Sequence, residues 1–499
     1  MKKLLFSLCL TIVASALASA RTLPAITIGN DTLQIDTVFH AKVGPGTTHT
    51  ALHLSGENPL DVFYLTIDRN TPGVSLRSVV GEKLAGRTKT SAMAEMSSND
   101  STLFFAGVNA DFFVTRGEAS NGSTKVGSTV NAAIVGGEVY KATNSGCQFV
   151  IDADGIAHIG SLNFYGGVAF CGANSVEFHG INEMSTDNGL TLYTPRFWGS
   201  TNQGDYAGLC AEVVCRLVDG DAFVAGRKYR LEVVSQPTFD GDAVIPDDGY
   251  VLCGRGEDMA NGTIGAKDFV AALVPGDIVE IDNIVATADG KRIYPVECVS
   301  GTPENVRGGA KIEPERPSNL TTYRHPRTAI GIGDGGSKIV MLVVDGRGFS
   351  VGVTTDMLAD LMLYAGATEA VNLDGGGSSA LYTQALGVRN RTSDGPERAV
   401  GNAIYAVVSG KVNDDQVAEI QFADWRRDVR FGETITPRVF AYNALGVLID
   451  SDYRDFSLSC EREVGLIDSD GKSVRVTGDG IITATSGDFS AKMPVFLSE

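Results

Sequence analysis

Two aspartates close apolar runs and are followed at once by glycine: Val344-Asp345-Gly346, and Leu373-Asp374-Gly375-Gly376-Gly377-Ser378. A carboxylate at a strand end beside a glycine turn is placed for acid, base or nucleophilic work. The turn admits a ligand close to the backbone and leaves N–H groups for an anion. Read alone, the same residues also make a tight structural turn. They are not a P-loop, because no Gly-Lys-Ser/Thr follows, and no Gly-x-Ser-x-Gly nucleophile elbow can be read there. A third strand end carries Asn109-Ala110-Asp111-Phe112-Phe113. Arg327 and Arg398 offer planar forks suited to an anion, although a surface salt bridge is the ordinary use of either. Asn109 and Asn372 can hydrogen-bond a ligand or orient the carboxylates. Glu369 lies an odd number of positions from Asp374 and faces away from it.

The elements that must hold these residues follow from periodicity. Lys338 to Val344 is a continuous apolar run that reads as a strand buried on both faces. A helix comes next, capped by Thr354 or Thr355. Met357, Leu358, Leu361, Met362 and Ala365 lie on one face, and Gly366 sits where a C-terminal glycine belongs. Glu369 to Leu373 is a second strand. Strand, helix, strand predicts a βαβ unit with parallel strands, putting Asp345 and Asp374 on one rim at strand carboxyl ends. The expected class is therefore α/β: an α+β mixed-sheet catalytic domain whose βαβ unit carries the site, with a β-rich insertion over about 162–285. Strands are also expected at Asp61–Asp68, Val74–Val80 and Thr102–Val108, with helical signal at Thr90–Met96. Short strands with regular turn signals over 411–499 predict a C-terminal Ig-like β-sandwich, a spacer or attachment module without candidate catalytic residues.

Composition limits the partners. The 499 residues are 43% hydrophobic and 20% charged, an ordinary globular balance. Forty-one basic residues against 60 acidic ones give a net charge of −19, which repels nucleic acid and anionic membrane. An anionic substrate must then meet a local basic cluster. Lys2 and Lys3 precede the apolar run Leu4 to Leu17, and Ala18-Ser19-Ala20 supplies a peptidase site, so residues 1–20 read as a signal peptide. The mature chain is expected to begin at Arg21 and to be exported, with no transmembrane segment. Seven cysteines remain after Cys9, an odd number that leaves at least one unpaired. Cys210 and Cys215, five apart, point to opposite strand faces and are not expected to bridge. Without CxxC pairs or Cys/His clusters, no structural zinc site is expected. His325 is the one histidine beside another candidate residue, and orienting the loop before Pro326 is as good an account of it as catalysis.

Arg327-Thr328-Ala329-Ile330-Gly331, Val344-Asp345-Gly346, Ala370-Val371-Asn372-Leu373-Asp374-Gly375-Gly376-Gly377-Ser378 and Arg398-x-Val400 occur in that succession. Together they resemble the phosphodiester glycosidase family. The Asn-Leu-Asp-Gly-Gly-Gly-Ser run is the most specific part, and Asn109 to Phe113 is similar to the family's Asn-Gly-Gly-Phe-Phe turn. The resemblance runs from about Val62 to Val408, insertion included, and stops before the C-terminal sandwich, dividing the mature chain into 21–410 and 411–499. Two departures are Asp111, where the family has its second glycine, and Arg347, where its animal member has a neutral amide. The resemblance implies a hydrolase acting on a sugar 1-phosphodiester of the N-acetylglucosamine type. Asp374 would be the leading catalytic carboxylate, as nucleophile or base, and Asp345 the second. Arg327, Arg398, Asn109, Asp111, Asn372, Gly375, Gly376, Gly377 and Ser378 would bind substrate. No cofactor is required, and a divalent cation near Asp111 and Asp374 stays open. The partner is a glycan or sugar phosphodiester; oligomeric state is not set. The alternatives are a phosphodiesterase breaking the P–O bond and a surface glycan-binding protein without turnover.

Overall fold

The computed structural model describes residues 23–116, 126–164, 167–183, 188–201, 206–218, 220, 222, 224–259, 262–313 and 317–498. The expected signal peptide, residues 1–20, and Cys9 lie outside these. The described chain is built almost entirely of strands, with four short α-helices at Thr90–Ser97, Ala266–Ala271, Asn319–Thr322 and Thr355–Tyr364. This corrects the expected α/β class: the molecule is nearly all β.

The reason lies in how the apolar strand Lys338–Val344 is covered. It sits inside a nine-stranded sheet, hydrogen-bonded to Leu60–Asp68 on one side and Arg327–Gly333 on the other, and both pairings are antiparallel. Ile339, Met341 and Val343 enter one core while Val340, Leu342 and Val344 enter another. Burial on both faces thus comes from two cores, not from a parallel sheet. The helix does follow, with Thr354 Oγ1 accepting from Met357 N at 3.2 Å and Gly366 in the left-handed region at φ +92°. The return strand Glu369–Asn372 does not pair with Lys338–Val344, because Arg327–Gly333 lies between them, antiparallel to each. The two strands still point the same way, so Asp345 and Asp374 leave the sheet at one rim. Among the described residues, parallel pairing occurs twice, between Asn174–Ile181 and Leu190–Tyr193 and between Arg427–Arg430 and Phe489–Ser498, in neither case beside this rim.

A second sheet packs on the first. Its order runs Gly387–Val388, Leu381–Thr383, Thr102–Asn109, Asn402–Ser409, Val74–Val80, and Phe105, Val108, Ile404 and Ala406 meet Leu65, Ile330, Met341 and Val371 between the layers. The helix Thr355–Tyr364 covers the outer face of the first sheet through Leu358, Leu361 and Met362. The helix Thr90–Ser97 covers the outer face of the second through Met93 and Ala94. Seven strands between Gly167 and Asp282 close a barrel whose core also takes in Ala132, Ile134, Val150 and Cys298 from outside it. Cys215 points into that core and Cys210 away from it, as their spacing requires. The segment after Lys411 forms three small sheets around a further core that includes Ile420, Val439, Ile482 and Val495. It is tied to the first sheet by the Lys42–Glu419 ion pair at 2.5 Å and by Tyr442 Oη donating to Lys42 O at 2.6 Å.

Candidate functional site

The ends of the two sheets are joined at Asp374. Its N–H donates to Ala110 O at 2.8 Å, and Asn109 Nδ2 donates back to Asp374 O at 2.7 Å. Asn109 Oδ1 accepts from Thr328 Oγ1 at 2.8 Å and from Ala380 N at 3.1 Å. Asn109 is fully buried, so its side chain fixes the backbone beneath Asp374 and does not reach a ligand. Asp111, two residues on, donates its N–H to Asn402 Oδ1 at 2.7 Å. Strand ends from both layers therefore converge on one pair of carboxylates.

The glycine turn sets what can approach Asp374. Gly376 has φ +64°, and a Cβ there would stand 2.9 Å from an Arg347 guanidinium nitrogen. A Cβ on Gly377 would come within 2.2 Å of both Arg398 Nη2 and Asp394 Oδ2. The missing side chains thus let two arginines press against the turn. The backbone donors are less open than the sequence suggests. Gly376 N–H is taken by Pro326 O at 2.9 Å, and Gly375 N–H supports the Asp374 carboxylate.

Burial governs the protonation of the carboxylates. Asp374 is pushed up to about 6 by desolvation, against the opposing pull of Ser378, Arg398 and the Gly375 N–H. Asp111 is 1% exposed and is pushed up to about 7, chiefly by burial and further by the charge of Asp374. Its oxygens accept from Asn131 N at 2.9 Å and Asn131 Nδ2 at 2.8 Å, and Lys141 helps to hold it down. Asp345 is raised to about 6, again by burial; it accepts from Arg391 N at 2.9 Å and Asn390 Nδ2 at 3.1 Å. It borders a cleft of about 330 Å³ that runs between Gly346–Ser350 and Arg391–Gly395.

The arginines divide. Arg398 sits over the turn, its Nε and Nη2 on Asp394 Oδ2 at 2.8 and 2.6 Å and its Nη1 on Ser378 Oγ at 3.3 Å. Arg327 is 1% exposed and donates to three carbonyls, Val353 O at 3.1 Å, Leu320 O at 2.5 Å and Tyr323 O at 2.9 Å. Those bonds give it the work of an internal brace. Asn372 is buried as well, its Nδ2 donating to Thr302 O at 2.6 Å. Arg347, read from sequence only as a departure, is exposed, has φ 62°, and lies over Gly376 within the electrostatic reach of His325 and Arg327. A non-glycine residue in that left-handed conformation beside a carboxylate site is a signal that only the backbone gives. Asn131, Asn390 and Asn402, which position Asp111 and Asp345, have no motif to mark them in the sequence.

Residues 218–407 match the family model described as phosphodiester glycosidase, a span that holds Arg327, Asp345, Arg347, Asp374 and Arg398. Over that span, which leaves out Asn109–Phe113, the match bears out the family resemblance read from the motifs and supports a glycosidase-type hydrolase. The SPbeta prophage-derived uncharacterized protein YomE of Bacillus subtilis (strain 168) is 36% identical over 112 residues, 21% of this chain and 17% of that protein. Among solved structures, a hypothetical protein from Synechocystis aligns at TM-score 0.55 and 18% identity, over 73% of this chain and 62% of that one. A protein of Burkholderia pseudomallei K96243, named as a candidate for export, aligns at TM-score 0.52 and 22% identity, over 70% and 74%. These two share the fold. The zebrafish N-acetylglucosamine-1-phosphodiester alpha-N-acetylglucosaminidase catalytic domain, auto-inhibited by its pro-peptide, superposes only at TM-score 0.36 and 13% identity, over 77% and 89%. No helix among the described residues is long and apolar enough to cross a membrane.

Proposed function

We propose that this chain is an exported hydrolase that cleaves a sugar 1-phosphodiester at the anomeric C–O bond. The observation that carries the reading is the Asp111–Asp374 pair set against a glycine turn on which Arg347 and Arg398 both rest. Asp374, ionised, acts at the anomeric carbon as nucleophile or as base for water. Asp111 is too buried to meet substrate and works through Asp374, whose charge raises it further. As the glycosidic bond breaks, the phosphate monoester gains a second negative charge, and Arg398 and Arg347 lie where that charge develops. Asp345 serves the adjoining cleft, on the same rim. The N-acetylglucosamine-type sugar and the export by a cleaved peptide before Arg21 belong to the same proposal. So does the division into 21–410 and an Ig-like 411–499.

Hydrolysis in ¹⁸O-labelled water tests the bond. Label in the sugar is expected; label in the phosphate replaces this reading with a phosphodiesterase, and binding without turnover on any sugar 1-phosphodiester replaces it with a glycan-binding protein.

A further inference from the structure

The barrel wall holds a second group of reactive side chains. Cys210 and Glu212 lie two apart on the strand Cys210–Leu217 and share a face. The antiparallel strand Tyr250–Arg255 places Cys253 opposite Glu212 and Arg255 opposite Cys210. Cys210, Glu212 and Cys253 are all completely buried, and their Sγ and carboxylate atoms lie within 4.8 Å of one another. This face is the outer one of the barrel, covered by the segments that carry Thr201 and Ala243. Thr201 Oγ1 donates to Glu212 Oε1 at 2.5 Å, and Ala243 N–H donates to Oε2 at 3.1 Å.

Three features of this group need a common account. Glu212 is a carboxyl with no contact to water; the Cys253 thiol hydrogen-bonds to it and to Cys210, but its buried charge still calls for a balancing cation or proton. The thiols approach each other, yet their residues are diagonal and not opposed in the ladder. Diagonal neighbours stand about 7–8 Å apart, beyond the roughly 6.8 Å that a disulfide spans. Two sulfurs and an oxygen in a closed triangle supply three of the four tetrahedral positions of a borderline-soft dication, whose bonds of about 2.0–2.3 Å place its ligand atoms within about 4 Å of one another.

We propose that Cys210, Cys253 and Glu212 bind one zinc ion, which locks the barrel wall to its covering segments. Two thiolates and a carboxylate carry three negative charges; the dication and the Arg255 guanidinium opposite Cys210 carry three positive ones. Binding releases the two thiol protons to solvent, so affinity weakens as pH falls. The ion also shields two thiols in a chain read as exported to an oxidising compartment, where their diagonal placement disfavours a mutual disulfide. The site is independent of the hydrolase reading, because none of its ligands belongs to the Asp374 rim. Sequence reading passes over it, since the two cysteines stand 43 positions apart and neither belongs to a CxxC pair.

The whole chain, unfolded in denaturant with reductant and chelator and then refolded with or without equimolar Zn²⁺, decides the matter. The expected result is one zinc per chain retained through gel filtration, with zinc-edge X-ray absorption showing two sulfur neighbours. Unfolding should be at least 5 °C higher than for the metal-free chain. Glu212→Gln should weaken binding at least tenfold, and Cys253→Ala should abolish it. No retained zinc in the folded wild-type chain overturns the proposal. So does a coordination shell without sulfur, or a Cys210–Cys253 disulfide in a non-reduced peptide map. These readouts use the wild-type chain and stand even if a variant fails to fold.

Discussion

Asp374 is legible from sequence because everything that marks it is local: an apolar run, a carboxylate and three glycines in succession. Replacement by Asn preserves shape and removes charge, so turnover should fall by about 10² to 10⁴ with the melting temperature unchanged. Retained turnover assigns the residue to the turn. An Asp that acts ionised, with its carboxyl raised to about 6 by burial, loses activity as pH drops through that value. The neighbouring Asp111 is raised to about 7, chiefly by burial and last by the Asp374 charge. kcat/KM should therefore decline as pH falls through about 6, and a profile flat to pH 4 removes Asp374 as the ionised group. Arg398→Lys keeps charge and loses the fork, so it should harm phosphodiesters more than neutral aryl glycosides. Equal losses on both substrate types remove Arg398 from the phosphate. Arg327 shows where sequence stops: an arginine beside a motif is the same letter whether its fork faces a ligand or, as here, three backbone carbonyls.

At the scale of elements, hydrophobic period located the strands and the helix after Val344 but could not choose their partners. A run such as Lys338–Val344 reports that both faces are covered and leaves open by what. The intervening strand Arg327–Gly333, earlier in the chain, inserts between the two that the helix joins. Strand direction survived that misreading because direction depends only on the connection, and direction is what set both aspartates on one rim. The glycine turn supplies a prediction of its own. Gly377→Ala puts a methyl group where Arg398 Nη2 and Asp394 Oδ2 now lie, so the ion pair must move off the turn. Activity should drop at least tenfold while circular dichroism stays that of the parent. Unchanged kinetics would show that the closeness of Arg398 to the turn does not matter to turnover.

For the whole molecule, the cores are separate but not strangers. The unit after Lys411 has its own apolar centre, yet Phe440, Tyr442 and Leu448 also pack on Ala41 of the first sheet. Truncation after Lys411 should leave turnover on small substrates, since every candidate site residue precedes it, while lowering the melting temperature through that exposed face. A folded, inactive truncation would show that the C-terminal unit helps to build the rim. The joint between Asp111 and Asn402 reaches further than geometry. It spans 291 residues of chain, and the strand before Asp111 pairs with the strand that Asn402 begins. Long-range closure of this kind makes antiparallel sheets slow to form, whereas the barrel between Gly167 and Asp282 closes on contacts of its own. The barrel should then assemble early in refolding and the Asp374 rim late. A chain interrupted between Cys298 and Asn402 would be left with a finished barrel and no catalytic centre, so that activity appears only once most of the polypeptide is present.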